Sequence, residues 1–366
     1  MQKDLLPDFL HLCHGFANRG TQLLPLLERF DGDPTRVLRT KAGELRAIGI
    51  QPKAIARILT PQKARVALDL AWAQDDNNHL ICHDDPAYPA LLRQIGDFPP
   101  LLYASGDPSL LQAPQIAIVG SRLCTPGGAQ NAFDFAARLA EAGLVVTSGM
   151  AIGIESEAHR GALQCGGKTL AVMGTGADVI YPQRNRRLAE EIRQQGLIIS
   201  EFAPGTPAHK SNFPQRNRII SGLSLATLVV EATQRSGSLI TARLAAEQGR
   251  EVFALPGSIH NPQARGCHNL IRDGALLAEA PQDITRELTQ LASFVFSQVN
   301  TPPPRELEQM DSEHRHLLDA IGYDPVNCDI LVQRSGLTIE QLSSMLLVLE
   351  LNDLIQSAPG GCYVRI

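Results

Sequence analysis

From Gln115 to about Phe294 the chain alternates short, continuously apolar runs with longer amphipathic ones. The runs IAIVG (116–120), LVVTSG (144–149), KTLAVMG (168–174), LIISE (197–201), LATLVVE (225–231) and EVFALPG (251–257) have the length of strands. Between them lie GGAQNAFDFAARLAEAG, IESEAHRGALQC, NRRLAEEIRQQ, QRNRIISGL, SLITARLAAEQ and HNLIRDG, which read as helices. Strands that are apolar throughout are buried on both faces. The pattern therefore predicts an α/β fold, a doubly wound Rossmann-like parallel sheet covered by helices on each side. Ligands of such folds sit outside the C-terminal ends of the strands. Those ends carry Gly120-Ser121-Arg122, Ser148-Gly149-Met150, Gly174-Thr175-Gly176, Ser200-Glu201 and Pro256-Gly257.

The flanks follow other patterns. Residues 1–80 space apolar positions by three and four in PDFLHLCHGFA, GTQLLPLLERF, PTRVLRTKAGELRAIGI and PKAIARIL, which predicts a small helical domain of SAM or helix-hairpin-helix type. Within it, ELRAIGIQPKAIARI reads as a hairpin of helices turned at Gly49. Such a hairpin is either a packing unit or a source of backbone N–H groups for a DNA phosphate. Trp72, the only tryptophan, lies in a helical stretch and reads as core. A proline-rich connector, His83 to Asp107, leads into the Rossmann-like region, taken as 81–298. The run TPPPR makes 299–305 a linker, and 306–366 then gives three helices and a β-hairpin, the order of a winged helix.

Composition narrows the class. The chain has 366 residues, 44% hydrophobic and 19% charged, enough for two or three globular domains. It holds no apolar run of membrane length and no secretory leader pattern. Seven cysteines without a C-x-x-C spacing argue against a disulfide framework and a zinc site, and for a reducing cytoplasm. His314 and His316 point apart on a helix and make a poor metal pair. Net charge is −5, unevenly spread: residues 305–366 carry 4 Arg against 10 acidic groups, the preceding 304 residues 29 basic against 28 acidic. Any basic face is therefore local.

The segment from Phe202 to Thr241 is the most telling. A Gly/Pro-rich loop brings Lys210 and Phe213, Arg216 and Arg218 open a helix, and a second small-residue loop, Ser236-Gly237-Ser238, opens another. Loop-to-helix junctions of this kind hold phosphate, and an aromatic beside them offers a base a stacking surface. Gly120, Ser121 and Arg122, followed by Pro126-Gly127-Gly128, form a third such junction. The G-x-G-x-x-G fingerprint is absent and no acid ends the second strand, so no nicotinamide cofactor is expected. Arg184, Arg186 and Arg187 near a helix start suit an anionic partner or a solvated basic face. Glu201, Glu231 and His159 are not paired by their spacing and read as structural.

With these residues assembled, the chain resembles the DNA processing protein A family, DprA or Smf. The resemblance rests on Tyr88-Pro89 with Leu92, IVGSR (118–122), SGMAIGIESEAHRGAL (148–163), GTGADVIYP (174–182), ISEF (199–202), FPQRNRII (213–220), VVEATQRSGSLITARLA (229–245), VFALPG (252–257) and GCHNLI-x-x-GA (266–275). It implies a cytoplasmic, non-enzymatic homodimer that uses no cofactor. Such a protein binds and protects incoming single-stranded DNA and loads the RecA recombinase on it during natural transformation. It further implies that Arg122 meets the DNA backbone, that Lys210 and Phe213 supply a cation and a base-contacting aromatic, and that Arg216 and Arg218 are the arginines of the RNR segment. Glu155 departs from the family's Asp, and Ile152 from its Arg or Leu. Two other classes fit the sequence less well. A nucleotide N-glycosidase of the lysine-decarboxylase-like group needs a carboxylate where this chain has Arg243 or Leu244. A transcription regulator acting through the winged helix is opposed by the acidic tail.

Overall fold

Strands β1 (Asn78–Cys82), β2 (Leu101–Gly106), β3 (Gln115–Val119), β4 (Val145–Ser148), β5 (Thr169–Val172), β6 (Leu197–Ser200), β7 (Ala226–Val229), β8 (Glu251–Ala254) and β9 (Leu276–Leu277) build one sheet. Their order is β1-β2-β6-β5-β4-β3-β7-β8-β9. The computed structural model describes residues 3–289, 312–321, 326–351, 354–358 and 362–365. The linker expected at 299–305 lies outside them.

The six predicted apolar strands are β3 to β8, and they run parallel. Each side of a strand feeds a different core. Ile116 and Ile118 pack with Ala132, Phe135 and Leu139 of helix Pro126–Glu141, whereas Ala117 and Val119 pack with Ile219, Ile220 and Ala242 across the sheet. That alternation is the geometry of a strand covered on both faces. The chain reverses its progress at β3. It winds outward through β4, β5 and β6 and returns to place β7 on the other side of β3. A crevice at such a switch point has no crossover to fill it.

The sheet is not wholly parallel. β1 pairs antiparallel with β2, and β2 antiparallel with β6. Both lie in or beside the stretch expected to be a connector. Pro99 and Pro100 delimit β2 rather than prevent it, because proline is tolerated just before a strand.

The helical N-terminal region also differs in detail. The expected helix 34–50 is two helices, Pro34–Arg39 and Ala42–Ala47, because Thr40 is extended (φ −74°, ψ 137°). Gly49 turns the chain toward helix Pro52–Leu59 with φ +91°, a conformation that glycine adopts at little cost. These helices share a core with the sheet: Phe9, Leu12, Leu23 and Ile58 join one cluster with Leu101, Ala171, Met173 and Ile198. Met1–Ala292 is accordingly one compact unit, and β1 spans the position at which the sequence suggested a division. Asn18, buried with φ +55°, fastens the seam. Its amide donates to Leu101 O and Glu201 O (2.8 Å each), and its Oδ1 accepts Leu101 N–H (3.2 Å). Trp72 closes the same seam, edge-on to Tyr103 at 5.7 Å.

Ser293–Ile366 is the second unit. Helices Ser312–Ile321, Cys328–Ser335 and Ile339–Leu351 enclose Leu317, Leu331, Leu342, Leu346 and Leu349, and a three-stranded sheet, β10 (Val326–Asn327), β12 (Cys362–Arg365) and β11 (Ile355–Ala358), completes a winged helix. Asn327 caps the second helix by accepting Ile330 N–H at 2.9 Å.

His159 is fully buried between β4 and β5, its Nε2 2.7 Å from Gly149 O and its Nδ1 2.6 Å from Thr169 Oγ1. Burial pushes its pKa from 6.5 down to about 4. The neutral ring is therefore favoured by the fold, and the stability it contributes is present above pH 6.5 and lost as pH falls through 4. By linkage the loss approaches about 3 kcal/mol. Urea unfolding measured from pH 7 to pH 4 should show this decline, and His159→Gln should flatten it.

Candidate nucleic-acid interface

The crevice at the switch point is a groove of about 600 Å³. One wall is the turn after β3. Ser121 N–H donates to Glu231 O (2.7 Å), and Ser121 O accepts Ile154 N–H (3.2 Å), so the turn is tied to the loop after β7 and to the start of helix Ile154–Gln164, which follows β4. Gly120 is required there, since a Cβ would meet Ile154 at 2.7 Å. Arg122 projects from this turn, exposed, its guanidinium 5.8 Å from the centre of the Phe213 ring.

The opposite wall is the loop after β7. Ser236 and Ser238 hydroxyls lie 2.7 Å apart, and the start of helix Ser238–Glu247 is closed locally, with Ser238 N–H donating to Ser236 Oγ (3.4 Å) and Leu239 and Ile240 N–H to Ser236 O (3.2 Å) and Gly237 O (3.1 Å). Helix Asn212–Leu223 has no side-chain N-cap, its first N–H donating to His209 O (3.0 Å), and it brings exposed Lys210 and half-buried Phe213 to the rim. Both helix starts line the groove and bring the positive ends of their dipoles to it, which favours an anion.

Arg216 lies beneath the rim and is buried, at 3% exposure. Its Nη1 donates to Val172 O (2.8 Å), and its Nη2 sits 3.9 Å from Glu155 Oε2. The guanidinium fills the space that Gly149 leaves by having no side chain. Burial lowers its pKa, Glu155 opposes that shift, and Arg122 adds to it; an arginine stays charged throughout. Glu155 also accepts Ala151 N–H at 3.0 Å, so the residue that departs from the family's Asp braces this loop and the buried arginine together.

A smaller pocket of about 150 Å³ opens beside the groove, between Arg122, Ile152, Tyr181, Arg184, Phe213 and Arg216. Tyr181 packs on Phe213 with ring centres 5.6 Å apart. Tyr181 was missed as a site residue. Its signal was its place seven residues after the third apolar run, 168–174, where a strand-end loop returns over the crevice. Arg184 also lines this pocket, which separates it from Arg186 and Arg187.

The structure thus gathers Gly120, Ser121, Arg122, Lys210, Phe213, Arg216, Ser236, Gly237 and Ser238 around one groove. It does not bring Arg218 there. Two residues beyond Arg216 on a helix, Arg218 points elsewhere, and its Nη2 pairs with Glu201 Oε2 at 2.5 Å in the interior. Glu201 also accepts Gln215 Nε2 (3.2 Å); burial raises its pKa while Arg218 lowers it. Glu231 is spent on Thr125, accepting its N–H (2.8 Å) and hydroxyl (2.7 Å) at the start of helix Pro126–Glu141. With His159 bound between Gly149 and Thr169, all three candidate acid–base groups are bracing groups. Among the described residues no cluster of His, Cys, Asp and Glu is able to hold a metal, and no helix is long and apolar enough to cross a membrane.

Comparison with known proteins follows the same residues. The profile of the DNA recombination-mediator protein A family matches residues 79–289, and that of the DprA winged helix domain matches 301–361. Protein Smf of Escherichia coli is 39% identical over 328 residues, 88% of this chain and 86% of that protein. DNA processing protein DprA of Streptococcus pneumoniae is 49% identical over 203 residues, 56% of this chain and 72% of that protein. The X-ray structure of the pneumococcal protein superposes with a TM-score of 0.69 at 38% identity, covering 77% of this chain and 97% of that one. A Helicobacter pylori DNA processing protein A, solved for its single-stranded DNA binding mode, gives 0.53 at 31% identity over 58% of this chain and 96% of that one.

The Phe213 ring is seated against Gly174, where a Cβ would lie 2.8 Å from Cδ1. Gly174→Ala should displace the ring and destabilise the fold by about 1–3 kcal/mol. In a double-mutant cycle the penalty should largely vanish in a Phe213→Ala background; a penalty that persists would mean the clash is not with the ring.

Proposed function

Because this chain belongs to the DNA recombination-mediator protein A family, we propose that its groove binds single-stranded DNA, protects it and presents it to the RecA recombinase during natural transformation. The observation that carries this reading is the pairing of cations with an aromatic step at the switch-point crevice: Arg122 and Lys210 exposed, Arg216 below them, Phe213 and Tyr181 between. Phosphates meet the arginine and the lysine, beside the positive dipole ends of the two helices. An unpaired base stacks on Phe213 or enters the pocket beside it, which has the volume of about one base. A duplex keeps its bases stacked on one another and gains only the phosphate term.

The protein acts by holding the strand, without chemistry of its own. Support comes from the engaged states of Glu201, Glu231 and His159 and from exposed Arg243 where a glycosidase would need a carboxylate. The link to RecA rests on the family's mediator role. Homodimerisation is supported by β9, a two-residue edge strand paired on one side only, whose Leu276 and Leu277 are 37% and 46% exposed. An apolar sheet edge of this kind is a ready surface for a second copy.

Fluorescence anisotropy with single- and double-stranded oligonucleotides at two salt concentrations tests the groove. Phe213→Ala should lose about 1–3 kcal/mol on single strands and almost nothing on duplex. Lys210→Ala should weaken every sequence alike and reduce the salt slope by about 0.7. Equal losses of Phe213→Ala on both substrates, or an unchanged slope for Lys210→Ala, would overturn the assignment.

Leu277→Arg should convert the dimer to monomer in sedimentation equilibrium while leaving the melting temperature of the monomer unit within a few degrees. A dimer that survives this charge would move the interface elsewhere.

A further inference from the structure

A second cavity, larger than the groove at about 900 Å³, lies between the N-terminal helices and the loop after β6. We infer that this cleft is a second phosphate-binding segment for the same DNA strand, continuous with the groove. The inference rests on the single-strand reading above and extends it to a region that reading does not use.

Charge is the first argument. Between Pro34 and Arg65 stand eight Lys or Arg and one carboxylate, Glu44, although the body as a whole is nearly neutral. Arg46, Lys53, Arg57, Lys63 and Arg65 are all exposed, and none has an ion-pair partner among the described residues. Arg57 and Arg65 line the cleft itself. The acids that also line it are already engaged. Asp69 accepts His14 Nε2 at 2.6 Å, and Glu201 is held by Arg218 and Gln215. A cavity whose carboxylates are matched and whose cations are free has a positive potential, and concave walls of low dielectric concentrate it.

Continuity is the second argument. The first turn of helix Asn212–Leu223 divides the two cavities. Asn212 and Gln215 face the cleft, whereas Phe213 and Arg216 face the groove. A strand leaving Phe213 therefore crosses one helical turn to reach Arg57 and Arg65. The cleft walls also carry half-buried Phe202 and Leu68, the latter 61% exposed, which give an unpaired base an apolar surface. Groove and cleft belong to one compact unit, so their spacing is fixed.

The test uses the full chain and labelled oligothymidylates of about 6 and about 30 nucleotides, short enough to fill the groove alone and long enough to reach beyond it. Arg57→Ala/Arg65→Ala should leave the short oligonucleotide's affinity unchanged, weaken the long one about tenfold, and reduce the long one's salt slope by about 1.4. Arg57→Lys/Arg65→Lys, which keeps both charges, should restore the slope, and unchanged melting curves should accompany both variants because the side chains are exposed. Equal losses on both lengths, or no loss on the long one, would overturn the cleft. Lys210→Ala separates the two readings: it should weaken both lengths. If it does so while the double variant changes neither, the cleft alone falls. If the unaltered protein binds neither oligonucleotide, the groove falls with it.

Discussion

The guanidinium of Arg216 occupies a place in the interior where a side chain on Gly149 would stand, and the rest of the crevice is arranged around it. Moving a charge out of water costs several kcal/mol unless it is paired and hydrogen-bonded. Here the compensation is incomplete: one carbonyl at the end of β5, a carboxylate 3.9 Å away and an Nε without a partner. A fold that keeps such a charge under a groove holds a standing attraction for an anion above it. The same constraint explains the local glycines. Gly149 makes room for the arginine and Gly174 for the phenylalanine three residues before it, so strand ends and helix start interlock.

That interlock sits where the sheet reverses direction. The turn after β3 and the loop after β7 are neighbours only because β7 returns beside β3, and Ser121 N–H to Glu231 O closes the gap between them. Glu231 then spends both carboxylate oxygens on Thr125. Committing that carboxylate to the helix start fixes the wall. Arg218 and Glu201 make the analogous arrangement on the far side of the same helix.

Much of this was legible in the sequence, for identifiable reasons. Strands β3 to β8 are buried on both faces, so their apolar runs are unbroken, and glycines and cations at their ends marked the crevice. β1 and β2 were not legible. NHLIC and LLYASG are short, lie among prolines, and belong to an antiparallel edge that the alternating pattern does not announce. Arg218 looked like Arg216 because both are cations at one helix start. Which of them lines the groove depends on a carboxylate, Glu201, contributed by another strand. Tyr181 escaped notice because an aromatic in a loop has no periodicity to betray the surface it serves.

The seam between the N-terminal helices and the sheet holds the chain's one indole. Trp72 stands edge-on to Tyr103, which forms part of the cleft wall, while Phe213 and Tyr181 sit across the helix in the groove. The molecule is therefore optically asymmetric. Excitation at the red edge of the protein absorption band selects a reporter on the cleft side and leaves the groove dark. A change in emission colour marks water entering or leaving the seam, and tyrosine emission speaks for neither compartment alone. Without any label, the protein's own light reports on the seam and is blind to the groove.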